Sequence, residues 1–143
     1  MDKYESIKLD NQVCFSLYAS SREIIKLYKP FLDKVNLTYT QYVAMLVLWE
    51  DEKSTVKDIG KRLHLDSGTL TPLLKKIESM GLIKRYRDVK DDRVVIVELT
   101  QQGRLLKEEV TDVPREMACK INMTKEDLIG LKIKLDNLLK SLE

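Results

Sequence analysis

The chain has 143 residues, with 25 Lys and Arg against 23 Asp and Glu, a formal net charge of +2. That length suits one ordinary domain with a real core, and no apolar run approaches the roughly 18 residues of a membrane span. The charged opening MDKYESIKLD is no signal peptide, so a cytoplasmic protein is expected, in which two cysteines read as free thiols, metal ligands or redox groups and not as a disulfide framework.

His64 is the one histidine, and Cys14 and Cys119 lie far apart in sequence, so neither a metal site nor a cofactor is expected. Charge is more telling when divided by position. From Ser54 to Val94 ten Lys or Arg face six Asp or Glu, a local +4, and the other fifteen and seventeen leave −2. Basic charge concentrated in the middle points to an anionic partner.

Cys14, Leu17, Tyr18, Ser21, Ile24, Ile25, Tyr28, Phe31 and Leu32 recur at helical spacing and predict one long helix over about 10–34, capped by Asp10 or Asn11. A second helix runs through TQYVAMLVLWE with Thr40 as its cap; it is apolar nearly all round and should be central. A short third helix, TVKDIGKRL, turns Val56, Ile59 and Leu63 inward. The fourth begins at DSG, carries Leu70, Leu73, Leu74, Ile77 and Met80 on one face, and is ended by Gly81. The period then changes: LIKRYR and VVIVEL are β-branched or alternating runs around the polar DVKDD, which is a hairpin pattern. Thr100 caps a fifth helix, QQGRLLKEEV, which the Pro114 region ends or kinks. The sixth opens with TKED, a variant capping box at Thr124 and Asp127, and its leucines at 128, 131, 135, 138 and 142 have the spacing of a helix-pairing seam.

Two helices, a short turn and a following hairpin make a winged helix-turn-helix pattern, so the fold class is mainly α with a small β wing. The second helix of such a unit enters the major groove. With its leucines inward, this one presents Ser67, Thr69, Thr71, Lys75 and Lys76, hydroxyls for base edges or phosphates and ammonium groups for phosphates. Any solvated helix face can carry Ser, Thr and Lys, and Pro72 fits a helix best near its first turn. The hairpin strengthens the case: Lys84, Arg85 and Arg87 lie on one strand and Arg93 at the tip, where an arginine can enter a narrow minor groove. Asp91, odd beside phosphate, can hold Arg93 or Arg85 in a two-pronged pair and fix its direction.

The run LDSGTLTPLLKKIESMGLIKRYRDVKDDRVVIVELTQQG resembles the MarR family of winged-helix transcription regulators, and CFSLYASSRE with LDKVNLTYTQY adds a likeness to its organic hydroperoxide-sensing branch. The match covers nearly the whole chain. It implies one domain over 1–143, with dimerisation helices at about 10–34 and 100–143 around a DNA reader at about 54–99. It also implies a homodimeric repressor on palindromic double-stranded DNA, with half-sites about one helical turn apart, and an oxidant as effector.

Within that resemblance Cys14 matches the sensing cysteine, and Tyr28 and Tyr39 match two tyrosines that hydrogen-bond its sulfur. Fourteen residues at about 1.5 Å each separate Cys14 from Tyr28 by roughly 21 Å along one helix, so tyrosines serving the thiol must come from the other subunit. A helix N-terminus and donated hydrogen bonds both favour a thiolate, which peroxide oxidises to a sulfenic acid that a second thiol condenses to a disulfide. Cys119, in VPREMACKINM between the fifth and sixth helices, resembles the resolving cysteine of a two-cysteine subgroup. Taken alone, each cysteine reads equally as packing, and Trp49 and His64 read as structural. Two competing functions are a MarR-type regulator controlled by a small aromatic ligand and a thiol peroxidase using the same cysteine pair.

Overall fold

The computed structural model describes residues 2–143, and the chain divides into two compact units that meet between Val113 and Pro114. The first unit opens with two 3-10 turns, Glu5–Ile7 and Leu9–Asn11, then α1 (Val13–Asp33) and α2 (Tyr39–Asp51). There follow β1 (Lys53–Thr55), α3 (Val56–Leu63), α4 (Ser67–Ser79), β2 (Ile83–Arg87), β3 (Val95–Leu99) and α5 (Gln101–Glu109). The second unit is formed by α6 (Val113–Lys120), whose first residue closes the first unit, and α7 (Lys125–Ser141).

α1 starts later than periodicity alone suggests. Asp10 and Asn11 lie in the preceding 3-10 turn and do not cap it: the Asn11 side chain donates to the Glu5 carbonyl at 2.7 Å. Gln12 occupies the cap position, but its amide turns back to the Ser6 and Lys8 carbonyls at 2.7 and 2.8 Å. The α2 cap is Thr38, not Thr40, because a capping box needs Gln three residues later. Gln41 supplies it, its side chain accepting from the Thr38 amide while Thr38 Oγ1 accepts from the Gln41 amide.

α2 is central, as its apolar circumference requires: Tyr42, Ala44, Met45, Val47, Leu48 and Trp49 are all buried. The Trp49 indole donates to the Gly103 carbonyl at 2.8 Å and ties α2 to α5. α3 buries Ile59, with Val56 and Leu63 half-buried beside it. α4 buries Leu70, Leu74 and Ile77 completely, each worth about 1.5–3 kcal/mol against exposure. Pro72 falls in the second turn of α4 without breaking it, and Gly81 closes the joint after the helix at φ +81°.

The wing is a three-stranded antiparallel sheet in the order β1-β3-β2, not a lone hairpin. Lys53 faces Glu98 and Thr55 faces Ile96 on one side of β3, while Ile83 faces Leu99 and Arg85 faces Val97 on the other. At its base α5 presses close. A Cβ on Gly103 would stand 2.2 Å from the Leu82 carbonyl oxygen, so only glycine fits there. Thr100 caps α5 by accepting from the Gly103 amide, and its hydroxyl donates to the Gly81 carbonyl at 2.7 Å.

α5 ends at Glu109, ahead of Pro114, and Pro114 lies in the first turn of α6, where proline is tolerated. The stretch expected as a connection is thus a helix, and Cys119 sits on it. Thr124 caps α7 by accepting from the Asp127 amide. The α7 leucine seam is uncovered: none of its residues is buried, and Leu131, Leu138 and Leu142 are exposed.

Candidate nucleic-acid interface and thiol site

α4 offers its N-terminal end to solvent. Asp66 caps it by accepting from the Thr69 amide at 2.8 Å, and this bond holds the Asp66 carboxyl below the usual carboxylate range. Ser67, Thr69, Lys75 and Lys76 are exposed and Thr71 is half-buried at the edge of the leucine face. His64 closes α3 in the left-handed conformation at φ 55° and forms the turn between the two helices.

At the wing tip Asp88 N–H donates to the Val94 carbonyl at 2.9 Å and closes the loop. Asp91 grips Arg93 from the side, accepting from Nε at 3.0 Å, from Nη2 at 3.1 Å and from the backbone amide at 3.1 Å. These bonds pull the Asp91 carboxyl below its ordinary range. The arginine is aimed and still 87% exposed. Arg85 is engaged elsewhere than at Asp91: it turns inward to Glu78 on α4, leaving its side chain 20% exposed. Arg85 thus departs from the exposed basic set, and Lys84 is paired with Glu98 at 2.8 Å.

The thiol residues separate into three places. Cys14 is exposed in the first turn of α1, a helix start with no side-chain cap among the described residues. Tyr28 and Tyr39 come together from α1 and α2 with ring centroids 4.9 Å apart. Tyr42, which periodicity assigns only to the core, joins them at 5.8 and 6.3 Å and stacks edgewise on Trp49 at 6.4 Å. Its signal was the Tyr39-x-x-Tyr42 spacing, which places both phenols on one side of a helix. Cys119 is exposed on α6 in the second unit.

Burial first, then the neighbouring Tyr39 and Tyr42, push the Tyr28 phenol up to about 12 from 10.0. Burial raises Tyr39 and Tyr42 as well. The cluster is therefore a set of proton-bearing donors at neutral pH. Between pH 10 and about 12 the folded state keeps a Tyr28 proton that the unfolded state has lost, so this tyrosine's contribution to stability falls as pH rises through that window. A spectroscopic phenolate titration should show a late step near pH 12 that Tyr28→Phe removes; an unchanged titration would disprove the assignment.

A leucine-packed recognition helix with a hydroxyl and lysine face, followed by a basic wing, defines a winged-helix DNA-binding protein. Residues 26–110 match the family model described as transcriptional regulator SarA/Rot. The chain is 52% identical to the organic hydroperoxide resistance transcriptional regulator of Bacillus subtilis (strain 168), over 99% of this chain and 96% of that one. It superposes on reduced AbfR bound to DNA with a TM-score of 0.81, at 35% identity over 99% of both chains. On disulfide-formed AbfR the TM-score is 0.66, at 37% identity over 98% of this chain and 95% of that one. The chain belongs to the SarA/Rot family of transcriptional regulators, and its likeness to the organic hydroperoxide-sensing branch of the MarR-type regulators holds over its full length.

Proposed function

We propose that this protein is a homodimeric repressor that reads a palindromic operator and releases it when an organic peroxide oxidises Cys14. It is a DNA-binding transcriptional regulator that senses peroxide. The Cys14 thiolate attacks one peroxide oxygen, the O–O bond breaks, and the other oxygen leaves as an alcohol after taking a proton, giving a sulfenic acid. The Cys119 thiol of the other subunit then attacks that sulfur, water departs, and an intersubunit disulfide remains. The role is stoichiometric and not enzymatic turnover, and the setting is the cytoplasm, where thiols are kept reduced. No helix among the described residues is long and apolar enough to cross a membrane.

One observation carries the sensing part. Tyr28 and Tyr39 are brought together as proton-bearing donors, yet Cys14 lies roughly 21 Å up the same helix. A second copy, bringing its own α1, supplies the missing thiol. The exposed apolar residues Val13, Phe15 and Tyr18 of α1 and Leu131 and Leu138 of α7 are surfaces for that copy to cover.

A mobility-shift titration on DNA upstream of its own gene tests the whole. Reduced protein binds, peroxide releases it and dithiothreitol restores it; no binding in the reduced state would end the proposal. Arg93→Ala tests the wing. Its side chain is exposed, so folding should be unchanged, while operator affinity should drop about tenfold if the guanidinium enters a groove. A well-folded Arg93→Ala protein with full affinity would remove the wing from the interface.

A groove of about 410 Å³ lined by Val35, Met80, Leu82, Gln102, Leu105 and Leu106 favours a second reading, regulation by a small aromatic ligand seated beside the α4–β2 joint. In that case Cys14→Ser would still respond to its effector.

A further inference from the structure

Along β2 the recognition helix and the wing are tied at two levels. At the base, Gly81 and Leu82 lead directly from α4 into β2, and Thr100 holds both: its hydroxyl donates to the Gly81 carbonyl, and its amide donates to the Leu82 carbonyl at 3.1 Å. Higher up, Glu78 in the last turn of α4 reaches across to Arg85 in the middle of β2. Its Oε2 accepts from the Arg85 backbone amide at 3.0 Å and its Oε1 accepts from Nη2 at 3.1 Å. β2 is an edge strand, so that amide points away from β3 and Glu78 takes the place of a neighbouring strand. Arg85 faces Val97, fixing the tie near the middle of the ladder. Arg85 Nε is buried without a partner among the described residues, so Glu78 is what compensates this half-buried cation.

We propose that Glu78 is a positioning residue for DNA recognition: through Arg85 it sets the angle between the recognition helix in the major groove and the wing tip in the minor groove. The base of the sheet is pinned by β1 along β3 and by the buried Ile83, Val97 and Leu99, so what is left to set is the direction in which β2 carries the wing beyond Arg85. From Arg85 to Asp91 the chain advances six residues, a lever of at most about 20 Å at about 3.3 Å each. On that lever a rotation of about 10° displaces the tip by about 3 Å, one full hydrogen-bond length. On the β2 edge, which no other strand covers, Glu78 restrains this. Glu78 itself touches no DNA, and its influence is confined to what Arg93 reads. The inference rests on the assignment of Arg93 to a groove contact.

The test is a double-mutant cycle on the full-length reduced protein, with operator affinity measured by mobility shift. Arg93→Ala alone establishes the wing contact; if it has no effect, the wing reading fails, and the strut fails with it. Glu78→Ala should weaken binding about as much as Arg93→Ala, about tenfold, and the double variant should be no weaker than either. Hydroxyl-radical footprinting should show minor-groove protection lost at the flanks, while guanine protection in the major groove persists. Additive losses, near a hundredfold together, or loss of major-groove protection in Glu78→Ala would overturn the proposal, because Glu78 would then act on α4 or on the fold as a whole. Glu78→Gln keeps one acceptor oxygen and guards against an unfolded alanine variant. It should lose less affinity than Glu78→Ala, and none in the Arg93→Ala background; an equal loss in both backgrounds sinks the idea.

Discussion

Cys14→Ser should bind the operator as tightly as the wild type and stay bound at a peroxide concentration that releases the wild type. The substitution exchanges sulfur for oxygen in the first turn of α1 and leaves the side-chain skeleton otherwise unchanged, so the fold should be kept. Serine keeps a hydrogen-bonding group, to which the partner's phenols could still donate in the proposed dimer. What it lacks is chemistry, because the reacting species is a thiolate and a hydroxyl does not form a sulfenic acid. The effect should therefore be all or none. Mobility shift over a peroxide series, with dithiothreitol reversal in parallel, checks it. Release of Cys14→Ser by the same peroxide dose would place the sensor elsewhere, with Cys119 or a bound ligand the next to examine.

Much of the fold was legible because it follows from side-chain period and capping chemistry. Leu70, Leu74 and Ile77 recur at helical spacing, and all three are completely buried. Gly81, Thr100 and Thr124 stand where the helix ends and starts require them. The misses have particular causes. β1 is the three polar residues Lys53, Ser54 and Thr55, too short to show alternation, and it exists only because β3 offers it a partner. Pro114 reads equally as the end of one helix or the first turn of another, and the structure takes the second. Thr38 could have been chosen over Thr40 on sequence alone, since only Thr38 has Gln three residues ahead.

The candidate site divides differently. For Asp91 the sequence leaves Arg93 and Arg85 both open, and the structure takes Arg93, two residues away in the same tight loop. Arg85 read as one more wing cation, because Glu78 lies seven residues earlier and the two meet only after the chain turns at Gly81. Tyr42 was hidden in an apolar helix until Tyr28 arrived from α1. Cys14 has no local feature that separates a sensor from a packed thiol. The resemblance is what links it to Tyr28, and only with that link does its distance along the same helix call for a partner subunit.

Peroxide should convert the wild type to a covalent dimer joined from Cys14 of one subunit to Cys119 of the other. Both thiols are exposed in this chain and neither is in a disulfide. If Cys14 is served by Tyr28 only across the dimer, the front of α1 lies against the partner, and a partner thiol is the one that can reach its sulfenic acid. Closing the bond needs Cα atoms about 4.4–6.8 Å apart, and a reduced, DNA-competent dimer should hold them farther apart than that. Bond formation would then move the helices that space the two recognition helices, so that both half-sites can no longer be engaged together. The energy scale is adequate: a disulfide is typically worth about 2–4 kcal/mol, and about 1.4 kcal/mol of differential binding is tenfold in affinity. After mild peroxide treatment a non-reducing gel should show wild type as a dimer that dithiothreitol returns to monomer, with Cys14→Ser and Cys119→Ser both remaining monomeric. A Cys119→Ser protein that still forms the covalent dimer would mean Cys14–Cys14 pairing, and the resolving role of Cys119 would be abandoned.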